Sequence, residues 1–177
     1  MNKLVALALC LVMICWTAPV YGQDEHPIQL ALLNPVQVVP EDEAVRGVRL
    51  SLLYGKNAAM TGFDFGLVSH TTGDFTGVQL GAVGISDGDF TGWQGNWVNV
   101  VRGAFEGLQG GLVSKVESGR GVQWSGVNHA DSFRGLQVAV VNYARRLDGL
   151  QLGIVNIIGE GGLFPVFPIF NWSGTLD

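Results

Sequence analysis

The residues that could carry out chemistry in this chain are few, and their spacing assembles no recognisable site. The histidines His26, His70 and His129 have no His or Cys at the spacing of a zinc site. No serine stands in the G-x-S-x-G elbow of a hydrolase. We therefore predict no catalytic residue, no cofactor-binding residue, no metal ligand and no cofactor, and we predict that the protein is not an enzyme.

The aspartates in the turns are the best candidates for metal ligands in this chain. Asp74 and the run Asp87-Gly88-Asp89 are candidates because glycine–aspartate turns in β-rolls bind calcium. Equivalent turns hold Arg102-Gly103-Ala104 or Ala144-Arg145-Arg146, so no carboxylate recurs there. We interpret these aspartates as turn formers selected for backbone geometry. The sequon Asn171-Trp172-Ser173 is too short a match to predict glycosylation.

Aromatic residues are the remaining candidates for binding chemistry. Trp93, Trp97, Trp124, Phe63 and Phe65 form an aromatic set along the chain. Rows of aromatic side chains can bind sugars or lie at a membrane interface. Because the positions around them are apolar, we expect these side chains to belong to a core.

A glycine returns every 14 or 15 residues and opens a repeated phrase. The phrase is an apolar residue, then Gln, then in most copies an apolar and a small residue. The glycines are Gly47, Gly62, Gly77, Gly92, Gly107, Gly121, Gly135 and Gly149. The glutamines are Gln79, Gln94, Gln109, Gln123, Gln137 and Gln151. A fixed period predicts a repeat architecture. In such an architecture, a residue that recurs in every copy is interpreted first as structural and only then as part of a functional site.

Alternation within each copy predicts β-strands. Counted from the glycine as zero, positions +1, +3 and +5 are apolar or glycine, whereas +2 is mostly Gln. A period of two favours strands, and the glycine density disfavours helix. We call the side formed by +1, +3 and +5 the odd face. His70 and His129 occupy +8, at a strand end, where we expect them exposed. Ten copies begin at Ile28, Val48, Phe63, Val78, Trp93, Leu108, Val122, Leu136, Leu150 and Leu163.

The connections leave two all-β topologies open. Thr71–Asp74 and Ser86–Asp89 are four-residue turns with Gly third, which suit hairpins. We therefore predict an antiparallel meander of about ten short strands closed into a small barrel. The alternative is a parallel β-solenoid with one coil per repeat, in which the +2 glutamines form a ladder. A solenoid would expose Trp97, Leu112 and Ile154, and for that reason we place it second.

The N-terminus has the pattern of a secretory signal peptide. Lys3 supplies a positive charge, and Leu4–Trp16 is an apolar run too short to span a bilayer comfortably. Val20 and Gly22 suit the −3 and −1 positions of a cleavage site. We predict cleavage after Gly22, which leaves an exported chain.

Composition agrees with one exported domain. The chain has 177 residues, a net charge of −5 and scattered basic residues, a pattern that argues against nucleic-acid binding. Cys10 and Cys15 both precede the cleavage site, so the mature chain would have no disulfide and no thiolate. We divide the chain into a signal peptide (1–22), a leader with a first degenerate repeat and an acidic loop (23–46), and the β-repeat array with a C-terminal capping strand (47–177).

Several phrases together resemble a known family. They are NPVQVVPED, GDFTGVQLG, GDFTGWQ, GLQLGIVNI and GGLFPVFPIFNW, and the resemblance covers residues 28–172. The chain resembles the exported bacterial surface repeat-containing proteins best known from leptospires. The resemblance implies export and surface association, and it carries no activity, substrate or catalytic residue.

The sequence therefore predicts a non-catalytic exported protein, located at the cell surface or outer membrane, that acts as a structural or binding scaffold. An outer-membrane barrel would suit the signal peptide and the 11 residues from −2 to +8. The alternative is a soluble periplasmic or extracellular β-solenoid that serves as an adhesin or ligand-binding module. We expect outer-membrane lipid or another surface component as partner, and neither nucleic acid nor a small-molecule ligand.

Overall fold

A computed structural model describes residues 26–174, and these residues form only strands and their connections. The strands are β1 (His26–Leu33), β2 (Val36–Gln37), β3 (Ala44–Asn57), β4 (Ala59–Thr71), β5 (Phe75–Ser86), β6 (Phe90–Glu160) and β7 (Val166–Ser173). Across residues 26–174 there is no helix of the length and apolarity needed to cross a membrane. The predicted signal peptide and its cleavage after Gly22 lie outside the described residues, as do Cys10 and Cys15.

Parallel pairing of successive repeats makes the protein a β-solenoid. The sheet has the order β2-β1-β3-β4-β5-β6-β7, and β1, β3, β4, β5 and β6 pair in parallel. Each glycine lies beside the glycine of the next copy, as Gly62 does beside Gly77. β6 continues this winding through the copies headed by Gly92 to Gly149. The all-β repeat prediction is therefore confirmed, the antiparallel meander closed into a barrel is wrong, and the solenoid alternative describes the fold.

The turns that were expected to close hairpins are instead corners that stack on one another. The amide of Gly73 donates to the carbonyl of Ala58 at 2.7 Å, and that of Gly88 donates to Gly73 at 3.2 Å. The Asp74 carboxylate accepts from the amide of Asp89, one coil later, at 2.9 Å. A four-residue turn with Gly at its third position fits both a hairpin and a solenoid corner, so turn composition alone did not distinguish the two topologies.

Buried glutamines explain why parallel stacking is favoured. The +2 glutamines are inaccessible to solvent, and from Gln79 to Gln151 each side-chain amide donates to a side-chain oxygen of the preceding coil. The bonds are Gln94 to Gln79 (2.9 Å), Gln109 to Gln94 (2.7 Å), Gln123 to Gln109 (2.7 Å), Gln137 to Gln123 (2.7 Å) and Gln151 to Gln137 (2.8 Å). An unpaired buried amide would cost about 1–3 kcal/mol. In-register parallel coils satisfy each donor with the residue one repeat away.

A second amide column runs in the opposite direction. Asn128 donates to Asn142 at 3.0 Å, and Asn142 donates to Asn156 at 2.9 Å, so these donors point toward the following coil. The apolar core lies between the amide columns and the corners. It contains a row of stacked rings, with Phe75 and Phe90 centroids 4.7 Å apart. The remaining core residues include Val45, Met60, Phe105, Phe133, Leu147 and Ile158.

Antiparallel strands close both ends of the stack. β2 pairs with the end of β1, and β7 pairs with the last coil of β6, where Trp172 lies beside Leu150. Pro168 lies within β7 and has no amide hydrogen to offer at the outer edge. A short strand and a proline-bearing strand at the ends reduce edge-to-edge aggregation. The degenerate first and last copies therefore lie at the two ends of the sheet.

Candidate binding surface

The odd face points outward along the whole solenoid. Trp97 is 66%, Leu112 62% and Ile154 69% exposed, whereas the glutamines between the odd positions are fully buried. The expectation that the aromatic set belongs to a core is wrong, because Trp93 and Trp124 are also exposed. The other exposed apolar residues of this face include Ile28, Leu30, Val48, Leu50, Leu52, Phe63, Phe65, Leu67, Leu108, Val138 and Val140.

Large and small side chains interlock across the odd face. A Cβ added to Gly110 would lie 2.4 Å from Nε1 of Trp124, so the indole of Trp124 covers Gly110 of the preceding coil. A Cβ at Gly95 would lie 3.3 Å from Nε1 of Trp93. The tryptophans therefore fill spaces that the glycines leave, which evens out the surface. All tryptophans among residues 26–174 lie on this face, since Trp172 pairs with Leu150.

The odd face is larger than a typical apolar surface patch. β1, β3, β4, β5, the five coils of β6 and β7 present it side by side. Strand spacing and residue rise give it a size of roughly 48 Å by 16 Å, or about 770 Å². The largest apolar patch on a monomeric protein is usually about 300–600 Å². A patch of this size is typical of a surface that a partner covers.

A polar row borders the odd face at position −1. Its members are exposed and differ in charge along the stack. In order they are Arg46, Thr61, Thr76, Thr91, Glu106, Arg120, Arg134 and Asp148. Arg134 donates from Nε to Asp148 Oδ2 at 2.6 Å. The row gives the face a polar rim on one side, like the rim of a protein–protein interface.

The N-terminal part of the odd face contains a groove of about 1090 Å³. Leu50 and Phe65 line it from the +3 row, and Leu67 and Trp97 line it from the +5 row. Val38, next to β2, contributes at the end of the stack. No charged side chain lines the groove, so it suits an apolar group of a partner.

A hydrogen-bonded column on the other side of the solenoid joins four coils. The Tyr54 hydroxyl lies 3.0 Å from His70 Nδ1, and His70 Nε2 lies 2.8 Å from Asp87 Oδ2. Arg102 forms an ion pair with the same carboxylate. Burial raises the pKa of Asp87, but the hydrogen bond and charge of His70, together with Arg102, outweigh burial and hold the pKa below its ordinary value. We interpret this column as a set of side-chain interactions that links neighbouring coils. The sequence did not reveal it because its members are far apart in the chain.

The lowered pKa of Asp87 predicts an acid-dependent contribution to stability. This carboxylate stabilises the fold above its ordinary pKa of about 3.9, and the contribution is lost as the pH falls through the lowered value. We expect Asp87→Asn to lower the free energy of unfolding at pH 7 by about 1 kcal/mol or less. The difference from the wild type should shrink as the pH falls below the ordinary pKa of about 3.9, as measured by urea denaturation. Asp42→Asn, at an exposed residue, serves as the control for the loss of one negative charge and should change the free energy of unfolding at pH 7 by no more than about 0.5 kcal/mol.

The other candidate groups lie apart from one another. His26 pairs with Glu43, and His129 stacks on Tyr143 with ring centroids 4.9 Å apart. His70 and His129 are half-buried, so the prediction that these strand-end histidines are exposed is wrong. Among residues 26–174, no three His, Cys, Asp or Glu side chains come together to hold a metal ion.

A buried ion pair that was not predicted from the sequence lies inside the glutamine ladder. Arg49 and Asp64 hold the +2 position in consecutive copies, and both side chains are 0% exposed. Arg49 Nε and the second guanidinium nitrogen bind the two carboxylate oxygens at 2.9 and 2.8 Å. Gln79 and Ser69 also donate to Asp64, at 3.0 and 3.1 Å. The available signal was the replacement of Gln by opposite charges in adjacent copies.

Val138→Lys distinguishes an open odd face from a buried one. Val138 is 38% exposed, so a lysine stem can lie along the surface with its ammonium group in water. In dilute solution we expect the free energy of unfolding to fall by less than about 1 kcal/mol. A site in a core or in lipid would cost about 2–4 kcal/mol instead. Urea denaturation gives the value, and a loss in the higher range would mean that the odd face is permanently covered.

No protein-family model matches the chain, and neither a curated protein nor a solved structure shows significant similarity to it.

Proposed function

We propose that the protein is a non-catalytic β-solenoid binding module, exported to the cell surface, and that its odd face binds an apolar partner. The observation that carries this proposal is the inverted placement of side chains. Columns of Gln and Asn lie in the interior beside the phenylalanine core, while Trp97, Leu112 and Ile154 are exposed. A folded chain normally hides such side chains unless another molecule covers them.

The repeat supplies a rigid platform for this role. Each coil is held by backbone pairing, by an amide column and by stacked corners, so the odd face keeps a regular shape. Binding surfaces held by rigid elements lose little conformational entropy when a partner binds. The predicted signal sequence at 1–22 favours export.

Cysteine labelling on intact cells tests the covered face and the location together. Leu112→Cys places a thiol on the odd face, and Ser118→Cys places one at the corner of the same repeat. With a membrane-impermeant maleimide, we expect Ser118→Cys to react and Leu112→Cys to react several-fold more slowly. The same variants unfolded in urea provide the reference, since both thiols then react alike. The wild-type chain gives the background from Cys10 and Cys15.

Two results would contradict parts of the proposal. Equal labelling of Leu112→Cys and Ser118→Cys on intact cells would mean that no partner covers the odd face. Labelling of Ser118→Cys only after the outer membrane is permeabilised would rule out the surface location and favour the periplasm.

A further inference from the structure

We propose that the partner of the odd face is a second copy of this chain, packed face to face about a two-fold axis that runs along the strands. This inference rests on the proposed binding role of the odd face. A two-fold interface requires a surface that is complementary to itself. The odd face meets this requirement in its symmetry, charge, shape and area.

Symmetry leaves one favourable orientation. A two-fold axis along the stack would place the −1 row of one copy against the +5 row of the other. Each coil would then face its own equivalent, so Glu106 would lie against Leu112, which leaves a charge without a polar partner. With an axis along the strands, the two stacks run antiparallel. The apolar rows of one copy then lie against the apolar rows of the other, and the −1 row of one copy lies against the −1 row of the other.

Charge complementarity follows from reversing the −1 row. With full overlap, β1 of one copy faces β7 of the other, and the centre lies between the coils headed by Gly92 and Gly107. The facing pairs are Arg46 with Asp148, Thr61 with Arg134, Thr76 with Arg120, and Thr91 with Glu106. No like charges meet, and the end pairs carry opposite charges. Such complementarity sets register and suppresses other arrangements.

Shape and area also suit a dimer. At the centre, Trp93 and Trp97 of one copy face Leu108 and Leu112 of the other, with Gly95 among them. Tryptophan anchors and few charges are typical of an interface core. The face of about 770 Å² estimated from strand spacing is close to the roughly 800 Å² that each partner buries in a standard stable interface.

Sedimentation velocity of the full chain over a range of concentrations measures the association. We expect a dimer with a dissociation constant of about 1 μM or tighter. Leu112→Glu, at the centre of the face, should be monomeric. At protein concentrations well below the dissociation constant, where the wild type is also monomeric, it should keep the wild-type midpoint of thermal unfolding, since Leu112 is exposed in the single chain. A wild-type chain that remains monomeric at roughly 100 μM overturns the dimer.

Charge variants at Thr76 test the orientation. Thr76 lies between Thr61 and Thr91 in its own −1 row, so a new charge there meets no charged neighbour within the row. Because Arg120 faces Thr76 in the proposed dimer, Thr76→Glu should tighten association and Thr76→Lys should weaken it, each by roughly fivefold. If both variants weaken association, or neither changes it, the proposed orientation is wrong.

Tryptophan fluorescence separates failure of the dimer from failure of the proposed function. Trp93, Trp97, Trp124 and Trp172 all report on the odd face. For the dimer, we expect acrylamide quenching to decrease as protein concentration rises. A monomer whose tryptophans become protected by neutral phosphatidylcholine vesicles would overturn the dimer and leave the apolar binding role in place. A monomer with no protection, together with equal cysteine labelling on cells, would overturn both proposals.

Discussion

Replacing Asp64 with Gln is expected to lower the free energy of unfolding by about 3–5 kcal/mol. Arg49 and Asp64 are fully buried, and the carboxylate binds the guanidinium through both oxygens. Without the carboxylate, Arg49 keeps its charge in an interior that offers only neutral acceptors, such as the Thr71 hydroxyl at 3.1 Å. An uncompensated buried charge is among the largest single-residue costs in a folded protein. Urea denaturation at pH 7 measures the loss.

The double variant Arg49→Gln/Asp64→Gln is the matched control. It removes both charges and places Gln at +2 in every copy from Gln29 to Gln151, which extends the ladder through the stack. We expect it to recover most of the lost stability, because buried ion pairs often add little over a well-packed neutral replacement. The result would contradict this account if Asp64→Gln alone cost less than about 1 kcal/mol, or if the double variant were no more stable than the single one.

Gly92→Ala is expected to cost about 3 kcal/mol or more and to disturb the stacking of coils. Gly92 has a φ of +133°, a conformation that residues with a side chain rarely adopt. A Cβ at this position would also lie 1.9 Å from the carbonyl oxygen of Gly77. That oxygen belongs to the backbone of the neighbouring coil, so relief requires the two coils to separate. Thermal unfolding followed by far-UV circular dichroism measures the effect.

Gly95→Ala, in the same repeat, is the control for the positive φ and the close backbone contact at Gly92. Gly95 lies on the odd face, where a Cβ would meet the flexible end of Leu80 at 2.9 Å. We expect a change of less than about 1 kcal/mol, because Leu80 can move into solvent. Similar losses for Gly92→Ala and Gly95→Ala would mean that general glycine content, rather than the left-handed position, determines stability.

The recurring glycine was the strongest guide to the fold, and the structure supplies its physical reason. All eight repeat glycines have φ between +126° and +150°, and each faces backbone of the preceding coil or strand. Alternation then correctly predicted strands and the division into an odd face and a glutamine face. Turn composition was a weaker guide, since Thr71–Asp74 suits a hairpin and a solenoid corner equally well.

Exposure of Trp97, Leu112 and Ile154 was the reason for placing the solenoid second, and that reasoning failed. It gave the exposure of these apolar side chains more weight than the glutamine ladder that the solenoid offers. In a meander, Gln94 would face Gly81 and lose its side-chain partner. In the solenoid it donates to Gln79 at 2.9 Å, and the odd face stays open. The need to satisfy interior amides outweighed the burial of the apolar face within a single chain.

The sequence by itself determined the repeat, the strands and which side chains share a face, because these follow from local periodicity and the backbone preferences of glycine. Only the tertiary structure decided the direction of strand pairing and which side of each strand is interior. It also decided the ion pairs of Arg49 with Asp64 and of His70 with Asp87. Those outcomes depend on residues one or more coils apart, whose contacts exist only after the coils stack. The large apolar face is a result of the same stacking, since the coils bury their glutamines and phenylalanines and leave the odd positions on the outside.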